Sequence, residues 1–174
     1  MNKLIKSLFT VKCQKSNVKC SLRGFTLIEL LVVIAIIGLL ATIVAVSVNS
    51  ARAKARDVKR GSDLKNLTTA LEMYYDKYNA YPVAAAWTSK LGCYGPASAN
   101  WIPGLAPEFI PALPADPQGD CSVGRDYLYA SNGTDHKLLI HVPENCSNPV
   151  YKNIVDPVRI CWAWASYTPG YRNW

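Results

Sequence analysis

Nineteen consecutive residues, Leu30 to Val48, carry no charge, and only Gly38, Thr42 and Ser47 depart from strongly apolar character. As a helix this run covers about 28 Å, close to the roughly 30 Å hydrocarbon thickness of a bilayer. One membrane span is predicted. The charge of the chain is arranged around it. The formal net charge is +7, yet residues 1–24 hold six basic groups (Lys3, Lys6, Lys12, Lys15, Lys19 and Arg23) and no acid. The remainder has thirteen basic groups against twelve acids and is nearly neutral. The excess belongs to a leader of the kind retained in the cytoplasm during insertion, so nucleic acid is not the first partner it implies. A secretory signal is the competing reading, with Ala51-Arg52-Ala53 imitating its cleavage site, but such signals have apolar regions of only about 7–15 residues.

Glu29 sits at the entrance to this run. A carboxylate near the apolar interior is expensive, roughly 2.5–3.5 kcal/mol for Asp at a helix centre, and such residues usually have a partner. The stretch "KCSLRGFTLIE", Lys19 to Glu29, followed by the long apolar helix, resembles the class III signal of type IV prepilins and of type II secretion pseudopilins. The resemblance implies that a membrane-embedded prepilin peptidase cuts between Gly24 and Phe25 and methylates the new N-terminus at Phe25. The apolar helix stays attached. It further implies that Glu29 pairs with the Phe25 amine of a neighbouring subunit in a filament. The competing reading leaves Glu29 among the lipid headgroups. Further partners follow from the same resemblance: copies of the chain, minor pilins or pseudopilins, an inner-membrane assembly platform with a cytoplasmic ATPase, and membrane lipid.

Within the span, Gly38 with Thr42 and Ala41 with Ala45 have small-xxx-small spacing, which allows helices to approach closely. Beyond it, no proline occurs between Asn49 and Tyr81, and Leu64, Leu67, Leu71, Tyr74 or Tyr75, and Tyr78 recur at helical steps. The helix is expected to continue to about Tyr78, with Tyr81-Pro82 as its stop. Gly61 is a candidate bend or break. Arg52, Lys54, Arg56, Lys59 and Arg60 form a basic collar that reads as a solvated helix face, with lipid phosphate, neighbouring subunits or DNA as other readings.

After Pro82 the pattern changes. The Pro-, Gly- and Ala-rich stretch 91–124 reads as an irregular connection. "DYLYAS", "KLLIHVP" and "ICWAWASY" have strand-like content, and Asn132-Gly133 marks a hairpin turn between the first two. An α+β body follows, with the helix stripe on a small antiparallel sheet. This body also resembles that of the major pseudopilins in Trp101, the "P-x-D-P" run Pro114 to Pro117, and Tyr127-Leu128-Tyr129. That family commonly binds calcium through a loop in the last third. In "NPVYKNIVDPVR" only Asp156 is an acid, whereas calcium takes six to eight oxygens, so no calcium site is matched and no cofactor is assigned.

Cys13 and Cys20 lie in the leader and are expected to stay reduced. Cys93, Cys121, Cys146 and Cys161 lie in the exported body. Of three pairings, Cys93–Cys121 and Cys146–Cys161 are favoured because each closes a local loop, the second of about 15 residues and worth roughly 3 kcal/mol. A zinc site is the alternative, without any C-x₂-C pair to support it. His136 and His141, five apart, fall on opposite faces of one strand and have no nucleophile motif beside them, so no enzyme is read. Trp162 and Trp164 are expected to share a sheet face, serving core packing or a contact surface.

The chain therefore reads as a pilin-like α+β protein in four parts: leader 1–24, membrane and filament helix 25–48, helix continuation 49–81, and a loop-and-sheet region 82–174. The expected role is a structural subunit of a type II secretion pseudopilus or type IV pilus-like filament. It would be anchored in the inner membrane, with its body exported, and then drawn into a periplasmic or extracellular filament. A surface or competence pilin is the first alternative. A non-assembling single-pass protein is the second.

Overall fold

The computed structural model describes residues 25–146 and 148–174; the leader, with Gly24, Cys13 and Cys20, lies outside the described residues. One α-helix, α1, runs Leu27–Tyr78 and is followed by strands β1 (Ala84–Ser89), β2 (Tyr127–Ser131), β3 (His136–His141) and β4 (Ala163–Tyr167). The fold is the α+β, pilin-like one that the sequence predicts. The chain divides into two units, one ending at Ile43 and the other running Val44–Trp174.

Helix α1 ends where the sequence places its end. Asn79 adopts a left-handed φ of 53° and donates its N–H to the Tyr75 carbonyl at 2.7 Å, a closure that asparagine tolerates and that Pro82 then makes final. Gly61 is not a break. The helix passes through it unbroken, and a Cβ there would meet only the Tyr151 ring at 3.6 Å, an ordinary contact. Gly61→Ala is therefore expected to raise stability by about 1 kcal/mol, read as a higher denaturant midpoint.

The sheet is antiparallel throughout, in the order β1-β2-β3-β4. Asn132 shapes the β2–β3 hairpin: its side-chain oxygen accepts the N–H groups of Thr134 and Asp135, and Gly133 supplies a φ of 94°. Strand β1, "AAAWTS", is absent from the sequence-based reading. Its alanines have neither strand propensity nor alternation, and only pairing with β2 makes it a strand.

One face of the sheet, through Tyr127, Tyr129, Leu138, Ile140 and Trp164, joins Leu64, Leu67 and Leu71 of α1 in a single core. Trp101, Ile102 and Leu105 enter the same core from the irregular stretch 91–124. At roughly 1.5–3 kcal/mol per fully buried large side chain, this loop is an integral part of the body. The other face buries Leu128, Leu139, Ala163 and Ala165 against Trp87.

The two tryptophans of "CWAWASY" do not share a face. Trp164 is fully buried and its ring centroid lies 4.2 Å from that of Tyr151, while Trp162 is 66% exposed. Strand β4 starts only at Ala163, and Cys161 turns with a φ of 62°, so the alternation does not extend back to Trp162. Lys137, fully buried on β3, lies 2.7 Å from the Asp156 carboxylate and donates to the Arg172 and Trp174 carbonyls. Trp174 in turn packs on Trp87, at 5.2 Å between ring centroids.

Of the two expected disulfides, Cys93–Cys121 is formed. Cys146 and Cys161 stand instead as neighbouring thiols, the first buried and the second exposed.

Candidate functional site

The first half of α1 lies open among the described residues. Every residue from Phe25 to Ser50 is exposed, including Phe25 at 82%, and no residue of the apolar window is buried. At its start, Thr26 and Glu29 form a reciprocal capping box. The Thr26 N–H and hydroxyl donate to Glu29 Oε2 at 2.8 and 2.7 Å, and the Glu29 N–H donates back to Thr26 Oγ1 at 3.3 Å. Sequence reasoning placed Thr26 in the motif that leads into the apolar run but missed its capping role. The signal was present as Thr-x-x-Glu before an apolar run.

The basic collar is only partly a solvated face. Arg52 and Lys54 are exposed, whereas Arg60 is fully buried. Arg60 Nε and Nη2 donate to the two oxygens of Asp116 at 2.6 and 2.8 Å, and Nη1 donates to Asp57 at 2.9 Å and Glu144 at 3.0 Å. Arg56 grips Glu144 through two bonds of 2.5 and 2.6 Å. Asp57 also accepts the backbone N–H groups of Glu144 and Asn145 at 3.0 and 2.7 Å. Planar guanidinium groups suit such multidentate contacts, and the dry surroundings strengthen each one.

This cluster gives the "P-x-D-P" and "Y-x-Y" runs physical roles. Asp116 takes the Arg60 fork and also accepts the N–H groups of Gln118 and Gly119. The Tyr127 hydroxyl donates to Asp63 at 3.0 Å, and the Tyr129 hydroxyl donates to the Pro82 carbonyl at 2.8 Å. Burial opposes charge on Asp116, but Arg60 and the two amides outweigh it and hold the carboxyl below its usual range. The Arg56 hydrogen bond, with burial opposing and Arg60 adding, brings Glu144 down to about 2.

The family described as Prokaryotic N-terminal methylation motif matches residues 22–45. Type II secretion system core protein G of Escherichia coli strain K12 is 37% identical over 116 residues, 64% of this chain and 73% of that relative. The chain belongs to the type II secretion system core protein G family. Core protein G of Pseudomonas aeruginosa is 33% identical over 114 residues, covering 64% of this chain and 75% of the relative; that of Vibrio cholerae is 34% identical over 112 residues, covering 63% and 71%. No solved structure matches significantly.

Two acids in the last third of this core protein G body are already engaged. Asp156 is spent on Lys137 and on the N–H groups of Val158 and Arg159, and Glu144 on Arg56 and Arg60. Among the described residues no three His, Cys, Asp or Glu side chains converge to hold a metal ion.

The two histidines lie apart, as expected from their spacing. His141 Nδ1 lies 2.9 Å from the Gly124 carbonyl. His136 packs against Tyr81, 4.2 Å between ring centroids, and neither of its ring nitrogens has a hydrogen-bond partner among the described residues. Burial, opposed by the Asp135 carboxylate, pulls His136 down to about 4. The unfolded chain therefore takes up this proton first, near the ordinary 6.5, and stability present above that pH is lost as pH falls toward 4. The loss is roughly 3 kcal/mol. Glu144 continues the decline with the same sign, between its ordinary 4.5 and about 2. His136→Phe is expected to abolish the first segment alone, measured as unfolding free energy against pH.

Proposed function

We propose that this chain is a pseudopilus subunit of a type II secretion system, cleaved between Gly24 and Phe25 by prepilin peptidase and N-methylated on Phe25. Residues 25–48 hold it in the inner membrane with the body exported. An assembly platform with its ATPase then draws it into a filament of copies and minor pseudopilins. The chain is a building block and performs no chemistry. In the filament, Glu29 faces the methylated Phe25 amine of a neighbouring copy.

One observation carries this reading: apolar side chains from Phe25 to Val48 are uncovered in the subunit, while Leu64, Leu67 and Leu71 of the same helix are buried. Lipid satisfies the first set before assembly and neighbouring helices satisfy it afterwards. The names of the relatives favour secretion over a surface or competence pilus. Mass spectrometry of the chain isolated from membranes tests the premise. A methylated Phe25 at the N-terminus supports it; an intact leader, or a cut near Ala53, rejects it.

The body is further read as independent of calcium, because Arg60 and Lys137 pair with its buried Asp57, Asp116 and Asp156. Chelation should leave its melting temperature unchanged. A large downward shift in chelator would contradict this.

A further inference from the structure

Cys146 and Cys161 lie beside each other in the body. Cys146 is buried and Cys161 is exposed, and both line one shallow depression with Pro143, Glu144, Asn145 and Asn148. The backbone brings them together. The β3–β4 ladder ends at His141 opposite Ala163, and the Val142 N–H then bonds the Trp162 carbonyl at 2.7 Å. The chain next turns at two left-handed residues, Val142 with φ 54° and Cys161 with φ 62°. Such a conformation is unusual for a β-branched valine, so the surroundings hold this corner firmly.

We propose that Cys146 and Cys161 close a second disulfide after export, and that this bond locks segment 143–146 onto the Asp57–Arg60 cluster of α1. The segment is the cap of that cluster. Glu144 takes Arg56 and Arg60, and the Glu144 and Asn145 amides bond Asp57, all immediately before Cys146. A bond from Cys146 to the entrance of β4 ties this cap to the sheet. The oxidation state of the pair thus sets how tightly α1 is held to the body.

The exposure of the two sulfurs orders the reaction. Cys161 meets the oxidant first: its thiolate attacks one sulfur of a disulfide reagent, that S–S bond breaks, and one reagent thiolate leaves and is protonated. Cys146 then loses its proton and attacks Cys161 Sγ, breaking the mixed disulfide and releasing the second reagent thiolate. Two protein thiols are oxidised and one disulfide is reduced to two thiols. Burial, with Cys161 beside it, pushes the Cys146 thiol up to about 12, which suits it to the second step and not the first.

The proposal rests on export to an oxidising compartment, and Cys93–Cys121 serves as an internal control for that. The full chain is isolated from membranes with acid quenching, alkylated and digested. A linked Cys146–Cys161 peptide is expected alongside the linked Cys93–Cys121 peptide. Protein isolated with all four cysteines reduced would count against export. The pair is then judged separately by reducing purified protein, removing the reductant and treating it with glutathione disulfide. Cys146→Ser should trap glutathione on Cys161, whereas Cys161→Ser should leave Cys146 unmodified. Closure in the wild type should slow hydrogen exchange of the Glu144 and Asn145 amides at least tenfold. The proposal is overturned if Cys146 and Cys161 remain alkylatable after this treatment, if Cys146 is the sulfur trapped, or if closure leaves those two amides exchanging at the same rate.

Discussion

Arg60→Ala will destabilise the α+β body by about 3–5 kcal/mol, the range for removing one partner from a buried ion network. Three carboxylates depend on this one guanidinium: Asp116 through two bonds, Asp57 and Glu144 through one each. Glu144 retains Arg56. Asp116 retains only the Gln118 and Gly119 amides and is left as a buried anion. Arg60→Lys is expected to fail almost as badly, since an ammonium offers no planar fork. Combining Arg60→Met with Asp116→Asn should recover much of the loss, because the dominant penalty is the orphaned charge and not the missing attraction. Denaturant unfolding of the full chain in detergent, followed by the fluorescence of the buried Trp101 and Trp164, measures all three. A loss under 1 kcal/mol for Arg60→Ala would show that the cluster is dispensable.

Glu29→Ala, under the proposed assembly, will leave the leader cleaved and the chain in the membrane but reduce sheared fibres by about two orders of magnitude. That reduction follows from losing a desolvated ion pair at each subunit junction. The capping box adds a second cause that must be separated from the first, since Glu29 also accepts the N–H and hydroxyl of its own Thr26. Losing a cap costs about 1 kcal/mol of helix stability. Glu29→Gln distinguishes the two. Glutamine can still serve the capping box but carries no charge. If charge draws in the next subunit, the glutamine variant assembles as poorly as alanine. Normal fibres from Glu29→Gln would assign the residue to helix initiation and withdraw the inter-subunit pair.

The legible parts of this protein are those in which the signal is local. The uncharged run, the proline-free stretch to Tyr81 and the leucine steps define α1, because helix periodicity and capping are properties of neighbouring residues. "DYLYAS" and "KLLIHVP" carry their strand character in β-branched and aromatic content, and Asn132-Gly133 marks their turn. The errors have a common origin. Strand β1 is made of alanines that become a strand only by pairing with β2. Trp162 leaves the sheet face because Cys161 turns the backbone, a change no alternation rule contains. Arg56 and Arg60 look like their exposed neighbours Arg52 and Lys54 until Asp116 and Glu144 arrive from 56 and 84 or more residues away.

By itself the sequence determined that the chain begins its described part with a membrane-length helix headed by a Phe-Thr-x-x-Glu motif, and that an α+β body follows. Spacing, hydropathy and capping need nothing beyond residues a few positions apart. Only the tertiary structure decided which charges are buried and that "P-x-D-P" holds Arg60. The energy of a charge or a thiol depends on what long-range folding places beside it and on the water that folding removes.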